Sequence, residues 1–287
     1  MAGLRVRALT PAFGAEVSGL KPAESLDDAT CRELQQLIRE RELLLFRDFD
    51  IDRRFQTYLA ELLATEGQPD PAVVDANAAR QSNFYISNRL ENAAAPFGEL
   101  LFHSDAMWSP GPYDILTLWA QDVVPPVTPT RFASVTHAWE TLPDDLRARV
   151  EGRSVVQTNQ VQERGEAEAR ILLATRDEIT TTTPIGHRNP RSGRTMLYVC
   201  SMMTGHVVGL PADESEELLA ALFAHIERPD DTWQHDWRNG DLVIWDNQAV
   251  MHARGDVAAE GPARTLRKAG SPVVPAGAIA AQSYTMR

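Results

Sequence analysis

Cysteine is scarce in this chain, because only Cys31 and Cys200 occur among its 287 residues. Two cysteines in unrelated sequence contexts exclude a disulfide framework and a cysteine-rich zinc module. A chain without disulfides suits a reducing compartment, so we expect the protein to be cytoplasmic.

Long apolar runs are also missing. A membrane-spanning helix needs about 18 to 20 consecutive apolar residues, whereas stretches such as Leu43–Phe46 are followed by charges within a few positions. The segment Met1–Thr10 contains two arginines but no apolar segment after them, so we expect no secretory signal there. The sequence therefore predicts a protein without a membrane partner.

The chain has no excess of positive charge. It contains 28 Lys and Arg against 40 Asp and Glu, which gives a formal net charge of -12. Such a charge repels a phosphate backbone, so a nucleic-acid partner is not expected. The 43% hydrophobic and 24% charged residues are typical of a soluble globular protein.

The first part of the chain mixes helix and strand patterns. An amphipathic, N-capped helix is predicted within Ser25–Arg41, and Leu43–Phe46 is predicted as a short buried strand. Apolar residues at helical spacing then predict a second helix, which ends near Glu66: Phe55, Tyr58, Leu59 and Leu62.

Short β-rich runs follow, each bounded by Gly, Pro, Asn or Asp. They are Asn83–Ile86, Ile115–Trp119, Thr195–Val199 and Asp241–Trp245. The helical segments between them, Leu142–Val150 and Glu214–Ile226, are too few and too irregularly placed for a βαβ repeat. We therefore expect a mixed α+β fold with an antiparallel β core wrapped by helices.

No internal repeat or linker divides the sequence, which predicts one domain over residues 1–287. The segment Arg164–Arg176 is rich in charge. We expect an insertion or lid at about residues 160–180.

The sharpest local motif is His103-Ser104-Asp105. Residues two apart in a strand point to the same face, so His103 and Asp105 could present an imidazole and a carboxylate to one point. Alone, this pair is half of a metal site. The same pair could instead be a hydrogen-bonded pair at a strand end.

A second motif, Trp237–Asn247, contains a Gly-Asp turn, a buried strand and a following histidine, His252. Two histidines and one carboxylate on one face of a metal leave other coordination positions open, which suits non-haem Fe(II) and oxygen chemistry. Zinc more often takes a closed tetrahedral set of ligands.

The order of these motifs, His-x-Asp, then Trp-x-x-Gly-Asp-x-x-x-Trp-Asp-Asn, then His and Arg, resembles that of the taurine and 2,4-dichlorophenoxyacetate dioxygenases. These enzymes depend on Fe(II) and 2-oxoglutarate. The resemblance covers nearly the whole chain: Leu9–Leu20 resembles the opening strand pair of the family, and Leu43–Asp48 resembles the strand after its first helix.

The resemblance implies a role for each matching residue. His103, Asp105 and His252 match the iron ligands. Thr130, which lies 27 residues beyond His103, matches the threonine that contacts the distal carboxylate of 2-oxoglutarate, and Arg264, 12 residues beyond His252, matches its arginine partner. Trp245 is a further candidate for lining the cosubstrate pocket. The cofactors implied are Fe(II), 2-oxoglutarate and O2.

The sequence departs from the family at its second arginine, where Lys268 stands. That position contacts the substrate anion in the related enzymes, and a lysine lacks the planar fork that binds an anion in bidentate fashion. A shifted register would assign the role to Arg267 instead, but Arg264 would then have no partner four residues away. We therefore keep Lys268 as the candidate.

Further substrate-contacting residues are expected in the segment before the metal motif and directly after it. These candidates are Asn83, Tyr85, Asn88, Glu99 and Trp108.

The fold implied by the resemblance is a double-stranded β-helix, or jelly-roll, core with flanking helices. The implied activity is oxidation of a small organic molecule by hydroxylation, with cleavage or desaturation as further outcomes, and with release of succinate and CO2. A homo-oligomer is implied as well. Two alternatives stay open: a cupin-like metal lyase or isomerase, and a non-catalytic binding module derived from the family.

Overall fold

The computed structural model describes residues 3–158 and 180–272 of the chain. The insertion predicted at about 160–180 falls on residues 159–179, which lie outside the described residues. In the described part, no helix is both long enough and apolar enough to cross a membrane.

Six α-helices and a short 3-10 helix lie in the described residues. The α-helices are α1 (Asp28–Arg41), α2 (Arg53–Ala64), α3 (Pro71–Arg80), α4 (Val135–Glu140), α5 (Asp144–Val150) and α6 (Ala212–Ile226), and the 3-10 helix is Pro229–Asp231. Helix α1 begins after Asp27, whose carboxylate accepts the Thr30 amide hydrogen and so satisfies one free donor of the first turn.

Sixteen strands are present in the described residues. They are β1 (Arg5–Ala8), β2 (Ala15–Ser18), β3 (Leu43–Phe46), β4 (Tyr85–Ser87), β5 (Leu100–His103), β6 (Ile115–Val123), β7 (Thr130–Ser134), β8 (Ser154–Gln157), β9 (Thr181–Pro184), β10 (Gly186–Arg188), β11 (Thr195–Leu197), β12 (Thr204–Val207), β13 (Thr232–His235), β14 (Leu242–Asp246), β15 (Val250–Arg254) and β16 (Arg264–Ser271).

Two sheets form the core. The larger has seven strands in the order β1-β2-β3-β14-β6-β16-β4, and the second has four strands in the order β13-β7-β15-β5. All pairings are antiparallel except that of β2 with β3. A three-stranded sheet, β12-β8-β9, and the hairpin β10-β11 complete the described β structure.

The alternation of side chains explains the layers. Leu43 and Leu45 of β3 belong to the cluster that also includes Phe132 and Val250 from the four-stranded sheet. Leu44 and Phe46 point to the opposite face and pack with helices α1 and α2. Both faces of the strand are therefore covered, which is why its sequence is continuously apolar.

A third cluster covers the other side of the four-stranded sheet. Met251 and Ala253 of β15 pack there with residues of α6 such as Leu218 and Leu222. The coarse expectation of a mixed fold with helices around a β core is confirmed. The strand predicted at Asn83–Ile86 was shifted, since β4 is Tyr85–Ser87, and helix α3 was not predicted.

Candidate functional site

Pairing of β5 with β15 brings the two predicted ligand histidines together. His103 and His252 are direct cross-strand partners, and their ring centroids lie 4.2 Å apart. Both side chains are buried. The residues are 149 positions apart in the sequence, so their proximity depends on the sheet register.

Asp105 reaches the same point by a different route from the one the sequence suggested. Strand β5 ends at His103, so Asp105 lies in the turn after the strand and not on it. The side chain of Asn247 fixes this turn, because its Oδ1 accepts the Asp105 amide hydrogen (3.0 Å) and its Nδ2 donates to the Asp105 carbonyl (3.0 Å). Hydrogen bonds from the distant Asn247, and not the alternation of side chains along a strand, therefore fix the position of Asp105.

The three side chains fit a metal ion. One ligand atom from each lies within 4.8 Å of the others: Asp105 Oδ2 is 3.6 Å from His252 Nε2, and Asp105 Oδ1 is 4.0 Å from His103 Nε2. The Nδ1 of His103 donates to the Leu101 carbonyl (2.7 Å), which leaves Nε2 as the basic nitrogen. Two imidazoles and a carboxylate suit Fe(II).

Burial and charge set the protonation of these groups. Burial lowers the pKa of His103 and of His252, so both rings are neutral at neutral pH. Burial alone would raise the pKa of Asp105, but opposing effects, the largest of which is the charge of Lys268, hold the pKa well below the usual range. The cluster therefore offers two neutral nitrogens and an ionised carboxylate, the forms in which these groups bind metals.

Lys268 stands beside the Asp105 carboxylate. Its Nζ donates to Asp105 Oδ2 at 2.8 Å and lies 4.8 Å from the centre of the Phe84 ring. Arg267 points to the other face of β16, where it donates to Gln56 and lies over the Trp119 ring. Of the two registers considered from the sequence, Lys268 is the residue on the side of the metal cluster.

Thr130 and Arg264 form a second pair at the site. The Thr130 hydroxyl oxygen accepts hydrogen bonds from Arg264 Nη2 (3.0 Å) and from Trp237 Nε1 (3.0 Å), so its own proton remains for a further acceptor. Burial and the nearby Arg254 lower the pKa of Arg264 to about 9, which still leaves it charged at neutral pH. The pair offers donors to an anion.

One pocket contains both groups. Its lining includes the three candidate ligands, Thr130 and Arg264, with Lys268, Arg254 and Trp245. Trp245 lies beside the rings of Phe132 and His252, with centroids 5.4 and 4.9 Å away, and its buried Nε1 has no partner in the described residues. The rest of the lining is apolar: Phe84, Ile86, Ala94, Ala95, Leu100, Leu118 and Ala253.

Of the substrate-contacting candidates, Lys268 alone is among the lining residues. Tyr85 alternates with Phe84 and Ile86 and points away, where Arg53 covers its ring at 5.1 Å. Asn88 accepts the Arg264 amide hydrogen and donates to the Pro262 carbonyl. Asn83 and Glu99 are exposed, and Trp108 is buried in the core cluster beneath the four-stranded sheet.

Sequence reasoning missed two residues of the site. Asn247 was given no role in the site, although it holds the backbone of Asp105. Arg254 was not considered, although it lies two residues beyond His252 on β15 and therefore faces the same side of the strand. That spacing was the available signal for Arg254, whereas the partner of Asn247 could not be found without the fold.

Comparison with known proteins identifies the family. Residues 5–269 match the model described as "Taurine catabolism dioxygenase TauD, TfdA family". The chain belongs to the TauD/TfdA family. It is an Fe(II)- and 2-oxoglutarate-dependent dioxygenase that acts on a small organic molecule.

Individual relatives extend the likeness over most of the chain. An α-ketoglutarate-dependent 2,4-dichlorophenoxyacetate dioxygenase of Cupriavidus pinatubonensis is 29% identical, over 91% of this chain and 95% of its own. A pentalenolactone F synthase of Streptomyces avermitilis is 27% identical, over 85% and 86%.

Solved structures show the same fold. The structure of AAD-2 in complex with Mn(II) and N-oxalylglycine has a TM-score of 0.74 at 24% identity and covers 94% of this chain and 97% of its own. A putative α-ketoglutarate-dependent 2,4-D dioxygenase from Burkholderia xenovorans has a TM-score of 0.69 at 28% identity, with 93% and 96% covered.

Proposed function

We propose that this dioxygenase holds Fe(II) through His103 Nε2, the Asp105 carboxylate and His252 Nε2. The observation that carries the proposal is the buried cluster of these atoms, all within 4.8 Å of one another. When bound, the iron with 2-oxoglutarate and O2 supplies the oxidation of a substrate carbon, with release of succinate and CO2. The chain itself positions the reactants and excludes water.

Arg264 and Thr130 hold the distal carboxylate of 2-oxoglutarate in this proposal. Arg264 donates through Nη2 to Thr130 and through Nε to the Thr128 carbonyl (3.0 Å), which fixes the plane of the guanidinium. Its Nη1 and the Thr130 proton are then available to a carboxylate, and a charge-assisted hydrogen bond of this kind is strong in a buried site. Trp245 forms a flat side of the same pocket.

The substrate lies against the apolar side of the pocket, beside the metal. Phe84, Ile86 and Leu118 contribute to that side, which favours a small organic molecule with an apolar body. We propose hydroxylation as the reaction, with cleavage or desaturation following for substrates whose hydroxylated product is unstable. The relatives are named for different compounds, a 2,4-dichlorophenoxyacetate dioxygenase and a pentalenolactone F synthase, so no single compound is proposed.

We further propose that the core is a jelly roll and that the chain forms one cytoplasmic domain that assembles as a homo-oligomer. One observation supports the jelly roll. The seven-stranded and four-stranded sheets share one apolar cluster, and sheets packed face to face in this way are typical of that fold.

Succinate release from a compound library tests the function. The wild-type protein with Fe(II) and 2-oxoglutarate should release succinate with at least one compound, and Arg264→Ala should lose most of that activity at low 2-oxoglutarate. Arg131→Ala is the matched control, since Arg131 lies next to Thr130 on β7 but is exposed. A metal lyase or isomerase would not need Arg264, and a binding module would form no succinate.

A further inference from the structure

Residues 94–98 form a loop beside the pocket that lies outside the named strands, and this loop is called the wall. Ala94 and Ala95 of this wall line the pocket together with the candidate metal ligands. Because the side chain of alanine is a single methyl group, the room beside the metal cluster depends mainly on where the backbone of this loop lies.

Arg254 connects this wall to the strand that carries His252. Its Nη1 donates to the Ala95 carbonyl (2.7 Å), and its Nη2 donates to the carbonyls of Phe97 (2.9 Å) and Gly98 (3.1 Å). The side chain is buried, with 3% of its surface exposed. A buried guanidinium that donates to three loop carbonyls is a strong tether, because hydrogen bonds to a charged group are stronger than neutral ones.

Apolar packing does little to hold the tip of the wall. The side chain of Phe97 is 42% exposed, and Ala95 has a positive φ of 42°, a conformation that persists only where the surroundings impose it. Backbone hydrogen bonds between Gly98 and Val257 (2.9 and 3.2 Å) and from Ala94 to the Tyr85 carbonyl (2.8 Å) fix the two ends. Arg254 supplies the contacts between those ends.

We propose that Arg254 is a positioning residue, which holds the wall 94–98 against the pocket and so sets the space in which the substrate meets the metal. This inference rests on the proposed function, since it assigns the wall to the substrate side of the site. In this role Arg254 acts on the substrate through the wall. Its loss should therefore loosen the wall and weaken substrate binding while the binding of metal and cosubstrate persists.

Hydrogen exchange read by mass spectrometry tests the tether in the protein loaded with Mn(II) and N-oxalylglycine. In Arg254→Met the hydrogen-bonded amides of Ala94 and Gly98 should exchange at least about tenfold faster than in the wild type, the factor expected from losing one charge-assisted hydrogen bond. Arg254→Lys, which keeps the charge and can reach one carbonyl, should lie between them. Arg131→Met, the control, should exchange as the wild type does.

Exchange at 94–98 in each variant is compared with exchange at 94–98 in the wild type and with exchange in strand β14. Strand β14 should exchange at the wild-type rate in every variant; unchanged exchange at 94–98, or an equal acceleration at β14, would overturn the proposal. If Arg254→Met does not fold, Arg254→Lys decides by the same comparison. Failure of Mn(II) to bind the wild type would instead count against the proposed function.

The kinetic readout uses the compound that releases most succinate from the wild-type protein. Arg254→Met should raise its KM by at least about tenfold with a smaller change in kcat, and Arg254→Lys should restore part of the affinity. An effect confined to kcat would overturn the positioning role, because a displaced wall acts on substrate binding first.

Discussion

Removal of the Asn247 side chain should weaken metal binding although Asn247 is not a ligand. Besides the two hydrogen bonds with the backbone of Asp105, its Nδ2 donates to the Tyr113 carbonyl (3.0 Å). Asn247 itself is fully buried. Asn247→Ala therefore leaves one amide hydrogen and two carbonyl oxygens without their partner at the turn that presents Asp105.

The size of the effect follows from these three groups. Each buried polar group left unpaired costs about 1 to 3 kcal/mol, so the free energy of unfolding should fall by about 3 kcal/mol or more. Loss of a residue that orients a ligand typically weakens metal affinity by about 10- to 100-fold. We expect Mn(II) binding to fall within that range.

Two measurements check this prediction: urea denaturation of the metal-free protein, and Mn(II) titration followed by electron paramagnetic resonance of the free ion. Gln248→Ala is the matched control, because Gln248 lies next in the chain but donates to Asp114. The control should bind Mn(II) as the wild type does. The reasoning would be refuted if Asn247→Ala folded and bound Mn(II) with wild-type affinity.

Three further predictions concern charge, space and the cosubstrate. Burial raises the pKa of Glu42 from 4.5 to about 7 against the opposing effects of Ser134 and Arg194, so the folded state favours the protonated acid. The free energy of unfolding of the wild type, relative to that of Glu42→Gln, should therefore fall by about 3 kcal/mol as the pH rises from below 4.5 to above 7. Urea denaturation of both proteins at pH 5 and pH 8 should show most of this fall. An equal difference between the two proteins at both pH values would contradict the prediction. In Gly270→Ala the new Cβ would lie 2.7 Å from Leu116 Cδ2, which should cost about 1 to 3 kcal/mol in thermal unfolding, whereas Gly111→Ala, with nothing within 4 Å, should be nearly neutral. Arg264→Lys should lower the affinity for 2-oxoglutarate about tenfold or more, because lysine lacks the planar fork, and calorimetry should show unchanged Mn(II) binding.

Patterns with a strong local cause could be predicted from the sequence. The apolar runs Leu43–Phe46 and Asp241–Trp245 predicted β3 and β14 within one residue at each end, because both faces of these strands are buried. The sequence also contained a signal for α3 that was not used, since Asp70 caps it and Pro71 is its first residue.

Contacts between distant residues could not be predicted in the same way. Asn247 bonds to Asp105 across 142 positions of the chain, and the tether from Arg254 reaches back 159 positions to Ala95. Tyr85 was expected near the substrate, but the pairing of β4 with β16 turns it to the opposite face from Phe84. Such positions depend on sheet register, which alternation alone does not determine.

Anaerobic absorption spectroscopy tests the central claim most directly. Fe(II) and then 2-oxoglutarate are added to the metal-free protein, and the visible charge-transfer band of a chelated 2-oxo acid is recorded. The account predicts that the band appears in the wild type, is absent in His103→Ala and requires more 2-oxoglutarate in Arg264→Ala. Absence of the band in folded wild-type protein, or an undiminished band in His103→Ala, would contradict it.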